Sequence, residues 1–140
     1  MGQLKIIVVD AKGGGMGKSF IEQAKKQIPG IRLLAFGTNS AATAAMLKAG
    51  ADDGATGDNA IIYNASDADV IIGPLGVVMP NAILGEISPA VATAIAGSRA
   101  GKILLPVSRC NTNIVGIVEK PLAKYLEESV QLLKSIIEAK

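Results

Sequence analysis

The chain has 140 residues, 49% of them hydrophobic, with a mean hydropathy of +0.40, 19% charged residues and a formal net charge of +2. One domain with a real core is expected at this length, and the weak charge with only 3% aromatic residues supplies neither a basic face nor a base-stacking platform, so nucleic acid is excluded as a partner. The complete absence of histidine removes His-dependent hydrolases and ordinary zinc enzymes, and no metal site is expected.

An apolar strand is predicted from about Leu4 to Asp10, feeding the run Asp10-Ala11-Lys12-Gly13-Gly14-Gly15-Met16-Gly17-Lys18-Ser19. A helix follows near Lys18 to Gln27, with Phe20, Ile21, Ala24 and Ile28 on one side, and Pro29-Gly30 ends it. Ile31 to Phe36 reads as a second strand, and Gly37-Thr38-Asn39-Ser40 as a turn with N-cap residues before an Ala-rich helix that ends by Gly50. A third helical piece runs from Asp58 or Asn59 through Tyr63, and Ala68 to Gly73 is a short buried strand. Pro74 to Gly85 is apolar without a clean period and reads as mixed structure. Ser88-Pro89 opens a helix to about Ala96, Lys102 to Pro106 forms a fourth strand, and Ile114 to Val118 a fifth. From Pro121 the stripe Leu122, Leu126, Val130, Leu133 and Ile137 marks a final amphipathic helix.

Strands alternating with helices predict a three-layer α/β/α sandwich around a mostly parallel sheet of about five strands, Rossmann-like or flavodoxin-like. The strand order 2-1-3-4-5 is the natural expectation, with a Rossmann order or an antiparallel edge at 114–118 as alternatives. The apolar stretches are cut by Gly, Pro and Asp well short of the roughly 18 to 20 residues a membrane span needs, so no membrane partner is expected. The excess of apolar residues points to a sheet buried on both faces and to self-association. The first residues lack the pattern of a secretory signal and the lone Cys110 has no disulfide partner, which predicts a cytoplasmic location.

The glycine run has the chemistry of a phosphate cradle. Glycines remove side chains that would block an anion, N–H groups face outward, and the helix dipole adds about half a positive charge. It matches neither standard signature. Aligning Gly17-Lys18-Ser19 with the end of a P-loop puts Lys12 where the first glycine belongs, and no acidic residue ends another strand to hold magnesium. In the dinucleotide pattern Lys18 takes the third glycine's place, and strand two ends in Gly37-Thr38-Asn39-Ser40 with no carboxylate for a ribose. What remains is an anion on Gly13, Gly14, Gly15, Met16 and Gly17, with Lys18 as charge partner and Ser19 as hydroxyl donor; the competing explanation is a tight turn for close helix packing.

Ligands in open α/β sheets bind beyond the carboxyl ends of the strands, which gathers the other candidates at the same crevice. Asp10 is either a ligand acceptor or a cap for the loop's own N–H groups. Thr38, Asn39 and Ser40 suit a ribose or second phosphate, or plain N-capping. Gly73 and Pro74 end one strand, and Arg109, Cys110, Asn111 and Asn113 follow another; Arg109 and Asn111 are taken as ligand contacts, and Cys110 has no histidine to activate it.

The chain also resembles a family of short bacterial proteins, domain of unknown function family 3842. The resemblance rests on Asp10 with Gly13 to Lys18, on Gly37-Thr38-Asn39 followed by Ala42-Thr43, on Met46 to Ala51 and on Gly54 to Ile61. It continues through Ile71-Ile72-Gly73-Pro74, Leu84-Gly85-Glu86-Ile87 and Arg109-Cys110-Asn111, with Ala11-Lys12 standing where the family pattern has Gly-Gln. It implies a Rossmann-like or flavodoxin-like domain and no known activity. Three functions are therefore expected to compete: a binder of a phosphate-bearing nucleotide or dinucleotide, a nucleotide hydrolase or transferase with a degenerate P-loop, and a non-catalytic protein that assembles through Pro74 to Gly85.

Overall fold

The structure, a computed structural model, describes residues 3–140. Its centre is built from the two most apolar runs, β1 (Ile6–Asp10) and β4 (Val70–Pro74), both buried along their whole length. Each points alternate side chains to opposite faces, as the two-residue strand period requires. Ile6, Val8, Val70 and Ile72 enter one core, while Ile7, Val9 and Ile71 enter the other.

The remaining strands are β2 (Leu34–Gly37), β3 (Asp53–Thr56) and β5 (Gly101–Leu105), and the five pair in the order β3-β2-β1-β4-β5, every pair parallel. This is the Rossmann order, not 2-1-3-4-5. The difference comes from β3. Asp53-Gly54-Ala55-Thr56 is a mostly exposed edge strand, so it carries none of the apolar patterning that marks buried strands.

The helices follow from the direction of travel. α1 (Gly15–Gln27) and α2 (Ser40–Lys48) link strands that step outward from β1, so right-handed crossovers put both on one face, where α5 (Leu122–Glu138) joins them. The chain then returns across the other face through α3 (Asp58–Ala65) and reaches β5 by way of α4 (Pro89–Ala96). Phe20, Ile21, Met46, Val130 and Leu133 fill the first core; Ile61, Val91 and Ile95 fill the second. No helix among the described residues is long and apolar enough to cross a membrane.

Two further sequence expectations are corrected, and the stretch expected as mixed is resolved. Residues 114–118 are a loop: β5 remains the sheet edge, Gly116 turns at φ +91°, and Val115 is fully exposed. A β-branched run without a neighbouring strand is composition, not structure. Tyr125 holds this loop to α5, its hydroxyl donating to the Val118 carbonyl and accepting from the Lys120 N–H. Pro74 to Gly85 resolves into a short 3-10 turn at Leu75–Val78 and a tight loop whose Val77 and Ala82 lie in the second core, leaving Leu84 as its exposed large apolar residue. That stretch therefore divides between core residues, Pro74, Gly76, Val77 and Ala82, and an exposed tip at Leu84-Gly85. Finally, α1 starts at Gly15, three residues before Lys18, which changes the geometry of the glycine loop.

Candidate functional site

β1 delivers Asp10 to the crevice edge, where the side chain is only 6% exposed. Its Oδ1 accepts from the Ala11 N–H and its Oδ2 from the Gly17 N–H, both at 2.8 Å. Burial pushes this carboxyl above the usual aspartate range, with the nearby Glu86 charge adding to the shift and the two N–H donors opposing it. Asp10 thus ties the loop's two ends together, in the capping role.

Between those ends the glycines divide by environment. Gly14 is the N-cap of α1 at φ +74°, and a Cβ there would lie 2.8 Å from the Ala42 carbonyl oxygen and 2.9 Å from its Cα. Gly14 exists so that α1 can seat its first turn on α2. Gly17 is similarly crowded, by the Met46 sulfur and the Asp10 Cβ. Around Gly13 and Gly15, in contrast, a Cβ would meet nothing within 4 Å. Close helix packing therefore accounts for Gly14 and Gly17 and leaves the other two unexplained.

The hydrogen-bond ledger of this turn is incomplete in a specific way. Gly14 N–H donates to Ala11, Lys18 N–H to Gly14, and Lys12 N–H to Glu86. The N–H groups of Gly13, Gly15 and Met16 find no acceptor among the described residues, and no side chain caps the helix. They stand at the positive end of the α1 dipole. Lys18 and Ser19 are a turn further in, Lys18 with its own N–H already bonded and Ser19 lining a groove with Ala123 and Leu126 of α5. In a P-loop the Lys-Ser pair opens the helix; here it does not, so the structure does not bring the Ser19 hydroxyl to the loop. Lys18 is exposed at the end of the first turn of α1.

The turn after β2 lies beside this loop. Asn39 caps α2 by accepting from the Ala42 N–H at 2.9 Å and donates its amide to the Lys12 carbonyl at 2.8 Å, which locks the starts of the two helices together. Thr38 N–H donates to the Asp10 carbonyl. Ser40 is exposed on the first turn of α2.

One residue that local sequence signals did not select stands in the middle of this arrangement. The Glu86 carboxylate accepts from the Lys12 N–H at 2.9 Å, from the Asn39 amide at 3.0 Å and from the Thr38 hydroxyl. Partial burial pushes its pKa up, but the Thr38, Lys12 and Asn39 donors outweigh that and hold it below the ordinary glutamate range. The contribution of this lowered carboxyl to stability is present above its ordinary value and lost as pH falls through the lowered one. The loop that carries it is wound tightly, with Asn81, Ile83 and Leu84 all at positive φ and with Ala82 and Ile87 buried as anchors. A β-branched residue such as Ile83 at φ +55° costs about 1–3 kcal/mol and persists only where its surroundings enforce it.

The other predicted contacts are occupied differently. Gly73 lets β4 approach β1, since a Cβ there would be 2.8 Å from the Val9 carbonyl, and Pro74 is buried beside it at the strand end. Arg109 pairs with Glu119 inside its own loop, and Asn111 and Cys110 are exposed at positive φ. These residues share the carboxyl end of the sheet and, among the described residues, make no hydrogen bond to the glycine loop. Cavities of about 300 Å³ beside β5 and α5 and about 330 Å³ around Leu4, Ile28 and Arg32 lie elsewhere, and the exposed Lys12, Gly13 and Gly15 make the loop an open shelf. Among the described residues there is no group of three or more metal-ligating side chains.

A parallel five-stranded sheet in Rossmann order, with an uncapped glycine turn beside its β1/β4 switch point, defines the class of α/β domain. Within that class the chain belongs to the family described as domain of unknown function DUF3842, whose model matches residues 5–138. No curated protein matches the sequence. Among solved structures, a dodecameric FMN-dependent Ubix-like decarboxylase from Escherichia coli O157:H7 is similar at a TM-score of 0.45 and 12% identity, over 94% of this chain and 93% of that one. A likeness of that degree carries no weight on ligand or assembly.

Proposed function

We propose that this protein binds a phosphate-bearing nucleotide or dinucleotide on the glycine shelf after β1, as one domain and without a metal. The observation that carries this reading is the set of three unpaired N–H groups, Gly13, Gly15 and Met16, at a helix start where neither Gly13 nor Gly15 has a packing reason to be glycine. Thr38 and Asn39 wall the shelf on the β2 side, and the exposed Lys18 on the first turn of α1 supplies a cation. The α1 start at Gly15 favours binding over phosphoryl transfer, because Ser19, the hydroxyl a P-loop places at the helix start, lines a groove with Ala123 and Leu126 of α5 instead. Self-association belongs to the same proposal, through the exposed Val115 and Val118 of the 114–118 loop and Leu132 on the outer side of α5. A cytoplasmic setting is part of it too.

A thermal-shift panel of NAD, NADP, FMN, ATP, GTP and coenzyme A tests the binding. A ligand at about 100 times its dissociation constant stabilises by about 2.7 kcal/mol, or several degrees for a domain this size. At Gly15 an added Cβ meets nothing within 4 Å, so the melting temperature of Gly15→Val is expected to stay close to the parent's while the ligand-induced shift disappears. If no phosphate compound moves the melt, or if Gly15→Val keeps the full shift, the shelf does not hold phosphate.

A further inference from the structure

The dinucleotide pattern places a carboxylate at the end of the second strand to accept from a ribose hydroxyl, and β2 here ends in Gly37. Glu86 fills that space from another direction. The loop after β4 carries it across the crevice and fixes it against Thr38 and Asn39, directly after the end of β2, and against the Lys12 N–H of the glycine turn. Its two oxygens are unequally used. Oε2 takes the Thr38 hydroxyl, the Asn39 amide at 3.0 Å and the shorter Lys12 contact at 2.9 Å, whereas Oε1 receives only the longer arm from Lys12 at 3.2 Å. Oε1 retains lone pairs for another donor, and Glu86 is only half-buried.

Charge narrows the ligand further. Asp10 and Glu86 bring two carboxyl groups to the shelf, against Lys12 and Lys18, so the surroundings are close to neutral and unsuited to a triphosphate. A phosphodiester pair, with one negative charge per phosphate, suits three N–H donors and a helix dipole. Lys12 is the cation beside Glu86 and already faces its carboxylate, while Arg109 is paired with Glu119 and Arg32 lines the cavity with Leu4 and Ile28.

We propose that Glu86 is the specificity-determining residue of this site, accepting through Oε1 from the 2′,3′-diol of a ribose, so that the shelf takes a nucleoside diphosphate ester with a free ribose and rejects its 2′-phosphate. This rests on the reading that the glycine shelf holds phosphate. A hydroxyl accepted by a charged group discriminates by about tenfold or more, and a 2′-phosphate placed against the same carboxylate adds repulsion.

Calorimetric titration with ADP-ribose, its 2′-deoxy analogue on the adenosine ribose and its 2′-phosphate, on the parent protein and on Glu86→Gln, tests it. The parent is expected to bind ADP-ribose at least about tenfold more tightly than either analogue. Glu86→Gln, equal in size and retaining an acceptor oxygen, is expected to accept the 2′-phosphate with its preference reduced severalfold. The deoxy comparison on the parent needs no variant, so it stands even if Glu86→Gln folds poorly. Equal binding of all three ligands by the parent overturns the role of Glu86 while leaving the phosphate shelf intact. An unchanged preference in a folded Glu86→Gln does the same. Failure of all three to bind overturns both.

Discussion

Gly14→Val is expected to lower the free energy of unfolding by about 3 kcal/mol or more, because two costs coincide at one backbone position. Its φ of +74° is unfavourable for any L side chain and worst for a β-branched one. The new Cβ also lies within 3 Å of the carbonyl oxygen and Cα of Ala42, which are backbone atoms of α2 and cannot swing aside. Relief requires α1 and α2 to separate at their starts, which opens the first core near Met16, Ala42 and Met46. Urea unfolding monitored by circular dichroism measures the loss, and Gly15→Ala serves as the comparison. The latter site is helical with open space around it, so alanine there is neutral or slightly stabilising. Equal stability of the two variants would remove the distinction between packing glycines and shelf glycines.

Asp10→Ala carries the second largest effect, a loss of about 2–3 kcal/mol, since it strands the buried Ala11 and Gly17 N–H groups that the carboxylate joins. The loss is less than two full hydrogen bonds because the deletion also removes a carboxyl whose charged form is disfavoured by burial. That gives the effect a pH dependence of definite sign. A carboxyl whose folded pKa is raised contributes stability that is fully present below its unfolded value and is lost as pH rises through the folded one. The difference between parent and Asp10→Ala is therefore largest in acid and shrinks toward neutrality. Unfolding curves at several pH values check this; a difference that grows with pH would mean that Asp10 is held as a favoured anion.

The parts of this molecule legible from sequence are those where burial imposes a period. β1, β4, β5 and the buried stripe of α5 through Leu126, Val130 and Leu133 follow directly from apolar runs at spacings of two and near four. Ser88 and Asn39 were readable as N-caps because a short polar side chain before a helical pattern has one common use, and both accept from the expected N–H. β3 was not legible, since an exposed edge strand needs only backbone pairing, and its omission misplaced the strand order. The 114–118 segment misled for the opposite reason, having strand-like residues and no strand to pair with.

At the candidate site, the glycine run and Asp10 were visible because their chemistry is local. α1 begins three residues before the position its sequence suggests, as glycines depress helix propensity even where Gly14 supplies a left-handed cap, and Lys18 and Ser19 therefore read from sequence as the first residues of the helix. Glu86 could not be found by spacing at all: it is 48 residues from Thr38 and 74 from Lys12, and only the folded loop after β4 brings the three together. The one pointer to it was the run Leu84-Gly85-Glu86-Ile87 in the family resemblance, which names a pattern without a reason.

The central claim is that the N–H groups of Gly13, Gly15 and Met16 receive a phosphate. Amide correlation spectra of the ¹⁵N-labelled protein, recorded during titration with ADP-ribose, test it at those atoms. The amides of these three residues are expected to shift together, saturating with a single dissociation constant. Shifts confined to other regions, or no shift up to about millimolar ligand, would contradict it.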